Sequence, residues 1–406
     1  MNKRNEGKRD KLHILQVHDY YKIPGGEDRV VESEGELLKE HGHKVWLYAR
    51  KNEELSRMNL WKKLCLPFTT VFSLKTYRDV KRLIREKKID LVHVHNTLPL
   101  VSPSVFYAAF ASGVPAVMSV HNFRLLCPGA LFYRNGKVCE ECVERGLLRS
   151  VKYGCYRGSR LQTLLCVISM KIHKTAGTYK RIYYICLTEF NKEKLLHFKG
   201  IRPERVFVKS NFAGNGKEKV FPKEREDYFL YGGRLEEEKG VKVLLKAFRK
   251  LADENLVICG EGSLHGWCED YIKKYSMKNV TLKGSVSGKE MKEYMGRAKA
   301  VIVPSLLYEG FPMVMAEAYS AKTPVIGSDK GNVGRLLEES GFGWKFETGN
   351  ADSLAEAVKR CREGRTDFNG DGKRTDIEEW SGEGNYKRLM QIYRRCIRDV
   401  RKTKEK

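Results

Sequence analysis

One unit recurs along the chain: a short apolar run, a polar or glycine-containing turn, then an amphipathic stretch of helix length. In the first half the runs are Leu12–Val17, Val45–Ala49, Ile89–Val94, Pro115–Val120 and Ile182–Thr188. After Val206–Asn211 and the polar stretch Gly214–Glu226 the rhythm restarts, with runs at Tyr228–Tyr231, Leu256–Cys259, Val280–Lys283, Ala300–Pro304, Pro324–Gly327 and Gly343–Phe346. Strands alternating with amphipathic helices predict parallel sheets covered by helices. The expected fold is therefore α/β, with two doubly wound, Rossmann-like domains facing each other across a cleft. Open α/β sheets bind ligands at the carboxyl ends of their strands, which places the site in that cleft. The expected boundaries are a disordered basic tail over 1–10, an N-terminal domain over 11–211, a C-terminal domain over 212–382 and a basic helix over 383–406. That last helix carries its apolar face through Tyr386, Leu389, Ile392, Tyr393, Cys396, Ile397 and Val400. Strand order does not follow from pattern alone.

Charge narrows the partners. The 406 residues hold 76 Lys+Arg against 51 Asp+Glu, a formal net charge of +25, and 41% of them are hydrophobic. That excludes an acidic solvating tail and is ample for packed cores. Residues 1–205 hold 38 Lys+Arg and 20 Asp+Glu, against 38 and 31 in residues 206–406, so the first half carries most of the excess. Nucleic acid, an anionic membrane surface and phosphate-bearing small molecules all reward such a balance. No secretory leader is visible, and no apolar run approaches the roughly 20 residues that span a bilayer. The expected location is cytoplasmic, and among the eleven cysteines the singletons such as Cys186, Cys259 and Cys268 are expected as free thiols.

The most informative segment is Pro304–Ala318, PSLLYEGFPMVMAEA. A strand ends at Pro304, a Gly310-Phe311-Pro312 turn follows, and a helix is expected to begin near Pro312, which needs no amide donor in a first turn. Amides around Gly310–Met313 then point at the cleft. Glu309 and Glu317 lie in an otherwise apolar stretch, where burial demands a partner, and a sugar or ribose hydroxyl is a natural one. A helix-start carboxylate and a solvated helix position are the plainer readings of the two.

The spacing from Glu309 to Glu317 resembles the Glu-x7-Glu signature of family-4 nucleotide-sugar glycosyltransferases, enzymes of GT-B architecture, and further segments match in the family's order. Gly25-Gly26-Glu27-Asp28-Arg29-Val30 resembles its N-terminal glycine loop, where backbone amides approach a phosphate or sugar; an ordinary strand-to-helix turn is the alternative. Gly233-Arg234-Leu235 through Lys239-Gly240 resembles its Gly-Arg-Leu-x-x-x-Lys-Gly segment, which implies that Arg234 and Lys239 clamp the donor diphosphate. The family often has a sugar-contacting histidine where His121 stands. Gly260-Glu261-Gly262 matches the site near the nucleotide base, and Ser305 begins the loop that carries Glu309. Gly327–Asn332 looks like a further contact turn, although Gly334-Arg335 stands where Pro-Glu often follows. By this resemblance Glu317 holds the ribose, Glu309 and His121 the donor sugar, and His95 lies toward the acceptor, with His93 a structural contact.

Two cysteine- and acid-rich patterns stand apart. Cys127, Cys139, Cys142 and Cys155 combine a Cys-x2-Cys knuckle with two outlying cysteines, within an insertion over 121–158 of a kind seen in a subset of these transferases. Structural zinc on four thiolates is one reading; disulfides or free thiols are the other. Asp367-x-Asn369-x-Asp371-Gly372-x5-Glu378 fits a calcium-loop pattern, but Lys373 and Arg374 enter it and no second hand pairs with it, which favours a linker.

The resemblance implies a last helix that crosses back to the first domain, and transfer of a sugar from a nucleoside-diphosphate sugar to a hydroxyl of a lipid-linked or polysaccharide glycan, with retention and without a catalytic metal. The basic excess in the first half and last helix suits peripheral contact with the anionic inner face of the cell membrane; no nucleic-acid partner is expected. A nucleotide-sugar epimerase of the same architecture and a non-catalytic basic binding protein are the rivals.

Overall fold

The computed structural model describes residues 11–22, 25–212, 224–364 and 380–404. These divide into two compact units: residues up to 130, 141–212 and 382–404 form the first, and 131–140 with 224–364 and Trp380–Ser381 the second. Strands in chain order are β1 (His13–Tyr20), β2 (Lys44–Lys51), β3 (Leu91–Val94), β4 (Ala116–Val120), β5 (Tyr133–Arg134), β6 (Lys137–Val138), β7 (Tyr183–Cys186) and β8 (Val206–Val208). They continue as β9 (Phe229–Gly232), β10 (Leu256–Cys259), β11 (Val280–Gly284), β12 (Val301–Val303), β13 (Val325–Ser328) and β14 (Gly343–Phe346).

Each unit is built on a six-stranded parallel sheet. The order is β2-β1-β3-β4-β7-β8 in the first and β11-β10-β9-β12-β13-β14 in the second. Counted within its own unit, the second sheet reads 3-2-1-4-5-6, the order of dinucleotide-binding folds, and its order reverses between β9 and β12. The first reads 2-1-3-4-5-6 and reverses between β1 and β3. The central strands β3, β7, β12 and β13 are buried along their whole length, as parallel strands covered on both faces must be. Every strand expected from the apolar runs is present within a few residues of its expected ends.

One boundary differs from expectation. The insertion over 121–158 does not stay together: residues 131–140 belong to the second unit, with the β5–β6 hairpin. The physical reason is that this short segment has no core of its own; Phe132 is fully buried and its ring stands 6.4 Å from that of Tyr308. The helix Gly382–Lys404, by contrast, joins the first unit as expected. Its Leu389, Met390, Ile392, Tyr393, Cys396 and Ile397 share a core with Leu12, Ile14, Leu91, Val117, Tyr183 and Ile185. The tail 1–10 and the calcium-loop-like segment 367–378 lie outside the described residues.

Polar contacts fix that helix in register. Lys209 Nζ stands 3.0 Å from Glu34 Oε2 and donates to Asn385 Oδ1 at 2.9 Å, while Asn385 Nδ2 donates to the Ser210 carbonyl at 2.6 Å. His93 Nδ1 lies 2.9 Å from Glu34 Oε1 and 2.7 Å from the Tyr393 hydroxyl. All of these side chains are buried. Burial pushes the Glu34 carboxyl up, but Lys209 and His93 pull it further down, and the result lies well below the usual carboxylate range. Removing one member of a buried pair leaves a charge without its counter-charge, which costs about 3–5 kcal/mol. Lys209→Met is therefore expected to lower the urea-unfolding midpoint strongly, with Glu34→Gln added in the same chain recovering part of the loss; an unchanged midpoint would contradict the pairing. Because the folded value of Glu34 is depressed, its contribution is complete above the ordinary carboxylate range. It is lost as pH falls through the lower folded value, so the penalty of Lys209→Met should shrink in strong acid.

Candidate functional site

In the second unit the chain crosses the reversal point twice, once leaving β9 and once leaving β12. After β9 it turns through Gly233 and Arg234 into the short helix Glu237–Lys239, then starts the helix Val241–Phe248. Gly240 makes that turn at φ +77°, and a Cβ there would stand 1.8 Å from the Pro304 carbonyl oxygen at the end of β12. Only glycine lets the two loops meet so closely. Leu306 N then donates to Glu238 O at 2.8 Å, which fastens the loops together.

That fastening brings Lys239 to Glu309. The ammonium stands 2.7 and 2.9 Å from the two carboxylate oxygens, and Ser305 Oγ donates to Oε1 at 2.5 Å. Asn332 Nδ2 clamps the loop from the other side by donating to the carbonyls of Glu309 at 2.6 Å and Gly310 at 2.8 Å. The Glu309 side chain is only 13% exposed. Burial raises its pKa, but Lys239, Ser305 and Arg234 together lower it further, so the net shift is downward. Glu309 is thus an ionised carboxylate at neutral pH, able to accept hydrogen bonds and unable to donate one.

Of the other expected donor-side residues, Gly233, Arg234, Gly310, Phe311, Pro312 and Glu317 lie on the same loops or the helix leaving them, Gly260 and Glu261 follow β10, and Gly25, Gly26 and His121 belong to the first unit. Arg234 is 57% exposed and 3.6 Å from Glu238, while the Tyr231 hydroxyl holds its backbone by donating to Arg234 O at 2.7 Å. Gly260, at φ +151°, passes so near Gly233 that a Cβ would stand 1.8 Å from its carbonyl oxygen, and Glu261 O accepts from Leu235 N at 2.8 Å. The helix Met313–Ser320 starts one residue later than expected, with Pro312 as its N-cap and Phe311 buried just before it. Pro312 contributes no amide, so donors for an anion there come from its neighbours. Glu317 lies in the second turn, half-buried.

A separate cluster lies in the first unit, at its own reversal point. Gly25 N donates to Asp28 Oδ2 at 2.7 Å, and Asp28 Oδ1 stands 2.7 Å from His18 Nε2. The Gly25 amide is therefore engaged by a carboxylate, whereas a methyl group on Gly26 would meet nothing within 4 Å. His95 Nδ1 and His121 Nε2 lie 3.0 Å apart with their rings stacked. Burial is the main cause that pushes His121 down to about 3 and His95 well below its ordinary value, so both are neutral at pH 7. They line a pocket together with Asn122, Phe106, Met118 and Met170.

Three residues of interest were not legible as site residues. Asp19, at the end of β1, accepts from Leu100 N at 2.6 Å, and burial lifts its carboxyl to about 7. Glu27 accepts from the Tyr21 hydroxyl at 3.1 Å and burial lifts it to about 8. Asn332 is fully buried beneath the Glu309 loop. A charged residue ending an apolar run was the available signal for Asp19, and the Gly25–Arg29 loop for Glu27; Asn332 lay inside a turn already singled out.

Among the described residues, the one group of three or more metal-ligand types gathered within 4.8 Å is Glu34, His93 and His95, where Lys209 already neutralises the carboxylate. Cys127, Cys142 and Cys155 belong to the first unit and Cys139 to the second. Within the first unit Gly129 packs against Cys155 and the Cys127 sulfur, at 3.4 and 3.7 Å from a Cβ built on it, and no described cysteine is disulfide-bonded.

Comparison with known proteins follows the same division. Residues 24–212 match the family Glycosyltransferase Family 4, and residues 215–375 match Glycosyl transferases group 1. An uncharacterized glycosyltransferase of Methanocaldococcus jannaschii is 25% identical over 402 residues, covering 97% of this chain and 98% of that protein. A glycosyltransferase from Rickettsia africae has a similar structure, with TM-score 0.68 at 17% identity over 96% of this chain and 99% of the other. An Anabaena protein solved with UDP and glucose gives TM-score 0.59 at 15% identity, over 96% and 100%. With these two parallel sheets and structural neighbours over nearly its whole length, the chain has the GT-B fold, and each of its two parts matches a glycosyltransferase family.

Proposed function

We propose that the chain transfers a sugar from a nucleoside-diphosphate sugar to a glycan hydroxyl with retention of configuration. The observation that carries this reading is the Lys239–Glu309 pair, a half-buried cation and an ionised carboxylate held side by side at the reversal point of the second sheet. The Anabaena neighbour with UDP and glucose supports the donor class.

The chemistry needs two things there. As the bond between the sugar carbon and the phosphate oxygen breaks, its electron pair goes to the diphosphate, and negative charge grows on that leaving group. Lys239, with the exposed Arg234 beside it, stabilises that charge more in the transition state than in the bound donor. Glu309, being ionised, accepts hydrogen bonds from donor-sugar hydroxyls. Glu317 holds the ribose and Gly260-Glu261 the base. With retention, the acceptor oxygen attacks from the face the diphosphate leaves, and its proton passes to a departing phosphate oxygen. His121, neutral, contributes a hydrogen bond rather than a charge, with His95 behind it toward the acceptor.

The acceptor is read as a lipid-linked or polysaccharide glycan, met at the cytoplasmic face of an anionic membrane. Spacing alone supports reading Cys127, Cys139, Cys142 and Cys155 as thiolate ligands of a structural zinc; their sulfurs are not among the metal-ligand groups gathered in the described residues. About one equivalent of metal in the purified chain supports that, and less than about 0.3 with titratable thiols contradicts it.

Lys239→Ala is expected to lower kcat by about 10²–10³, the scale of losing one donor to developing charge; Glu309→Gln should fall at least tenfold while melting like the parent. Unchanged donor turnover in either folded variant overturns the reading, and isomerised donor without acceptor points instead to an epimerase. Because Glu309 and His121 both titrate below their ordinary values, activity should hold from neutral pH down past about 6.5 without an imidazole inflection. A fall in kcat/KM centred near 6.5 would show a histidine that must be neutral but is not depressed. A saturating nucleoside diphosphate at 100 times its Kd should add about 2.7 kcal/mol to stability.

A further inference from the structure

Two neighbouring helices of the first unit turn large apolar side chains outward. On the helix Leu60–Val71, Trp61 is 77% and Phe68 78% exposed, with Leu60 and Leu64 beside them. Their spacing puts all four on one face of the helix. On the helix Arg160–Thr175, Leu161, Ile168 and Ile172 are exposed at i, i+7 and i+11, again one face. The two helices pack together, and His173 Nε2 donates to Val71 O at 2.9 Å. Apolar patches of this kind on a soluble surface mark a contact with something else.

The charge around them says what. From Leu55 to Arg78 the sequence has five Lys+Arg and no Asp or Glu; from Arg145 to Thr188 it has nine and none. These acid-free segments contain the two apolar faces. Exposed bases flank the second face at Arg160, Lys171 and Lys174, and the first at Arg57 and Lys75. A second copy of the chain docking through this surface would set like charges against like charges. A nucleic acid would satisfy the bases but offers no apolar layer for Leu161, Ile168 and Ile172.

We propose that the outward faces of Leu60–Val71 and Arg160–Thr175 dock the protein on an anionic lipid bilayer, with Trp61, Leu64 and Phe68 entering the headgroup–acyl boundary and the surrounding bases meeting acidic headgroups. Among the described residues no helix is long and apolar enough to cross a membrane, so these helices lie along the surface. This deepens the membrane-side reading of the acceptor by naming the surface, and it is independent of the donor chemistry.

The test is co-sedimentation of the full chain with vesicles of phosphatidylcholine alone or with about one third phosphatidylglycerol, at low and physiological salt. The parent is expected to bind the anionic vesicles and ignore the neutral ones. Trp61→Ser with Phe68→Ser, and separately Leu161→Gln with Ile172→Gln, should each weaken binding at least tenfold while keeping the parent's melting temperature and its shift with UDP. Failure of the parent to bind anionic vesicles overturns the proposal, as does parental binding by both double variants, which would leave electrostatics alone. A concentration-dependent dimer abolished by the same variants overturns it in favour of a second copy. A UDP shift without vesicle binding rejects this docking surface alone, whereas vesicle binding without any nucleotide shift rejects the transferase reading alone.

Discussion

A carboxylate taken out of water needs a cation at hand or it takes up a proton. In the second unit that constraint falls on Glu309, and Lys239 meets it at 2.7 Å. The surrounding structure exists to make that meeting possible. Gly240 has no side chain, so the loop carrying Lys239 can rest on the Pro304 carbonyl. Asn332 holds the Glu309 loop by two of its carbonyls, and Ser305 occupies one carboxylate oxygen. A charged pair held by four neighbours on fixed elements costs little reorganisation when a ligand arrives, and that is what makes it useful for stabilising charge. In the proposed transfer the pair exchanges partners: a diphosphate takes over Lys239 while Glu309 turns to hydroxyls.

The first unit solves a similar problem for a structural purpose. Glu34, Lys209, His93, Asn385 and Tyr393 form a buried polar group that spans the sheet and the final helix. A buried charged network of this kind specifies one arrangement of the helix, because any slip in register would leave a charge unpaired. Its neighbours His95 and His121 are neutral for the related reason that burial disfavours their cations.

The alternation of apolar runs and helices carried the α/β architecture and nearly every strand, because parallel strands buried on both faces cannot hide among polar residues. The Gly233–Gly240 and Pro304–Glu317 segments suggested a donor side through their resemblance to family motifs, and Glu309 and Glu317 stood out besides because carboxylates are expensive in an apolar stretch. Contacts distant in sequence were not legible. Nothing in the spacing tells that Lys239 bonds Glu309 rather than a ligand alone, that Asn332 clips the same loop, or that Gly25 N is engaged by Asp28. The placement of 131–140 in the second unit was missed because a ten-residue hairpin is too short to show its own periodicity. The outward apolar faces were missed for the opposite reason: an apolar helix stripe reads as core until its exposure is known.

The central claim is that the reversal point of the second sheet is where the donor's phosphates are held. A crystal structure of the chain with a nucleoside diphosphate tests it most directly. The account predicts phosphate oxygens within hydrogen-bonding distance of Lys239 Nζ, the nucleoside running toward Gly260 and Glu317, and Glu309 facing the space beyond the terminal phosphate. A nucleotide bound elsewhere, with the Lys239–Glu309 pair unchanged, would contradict it.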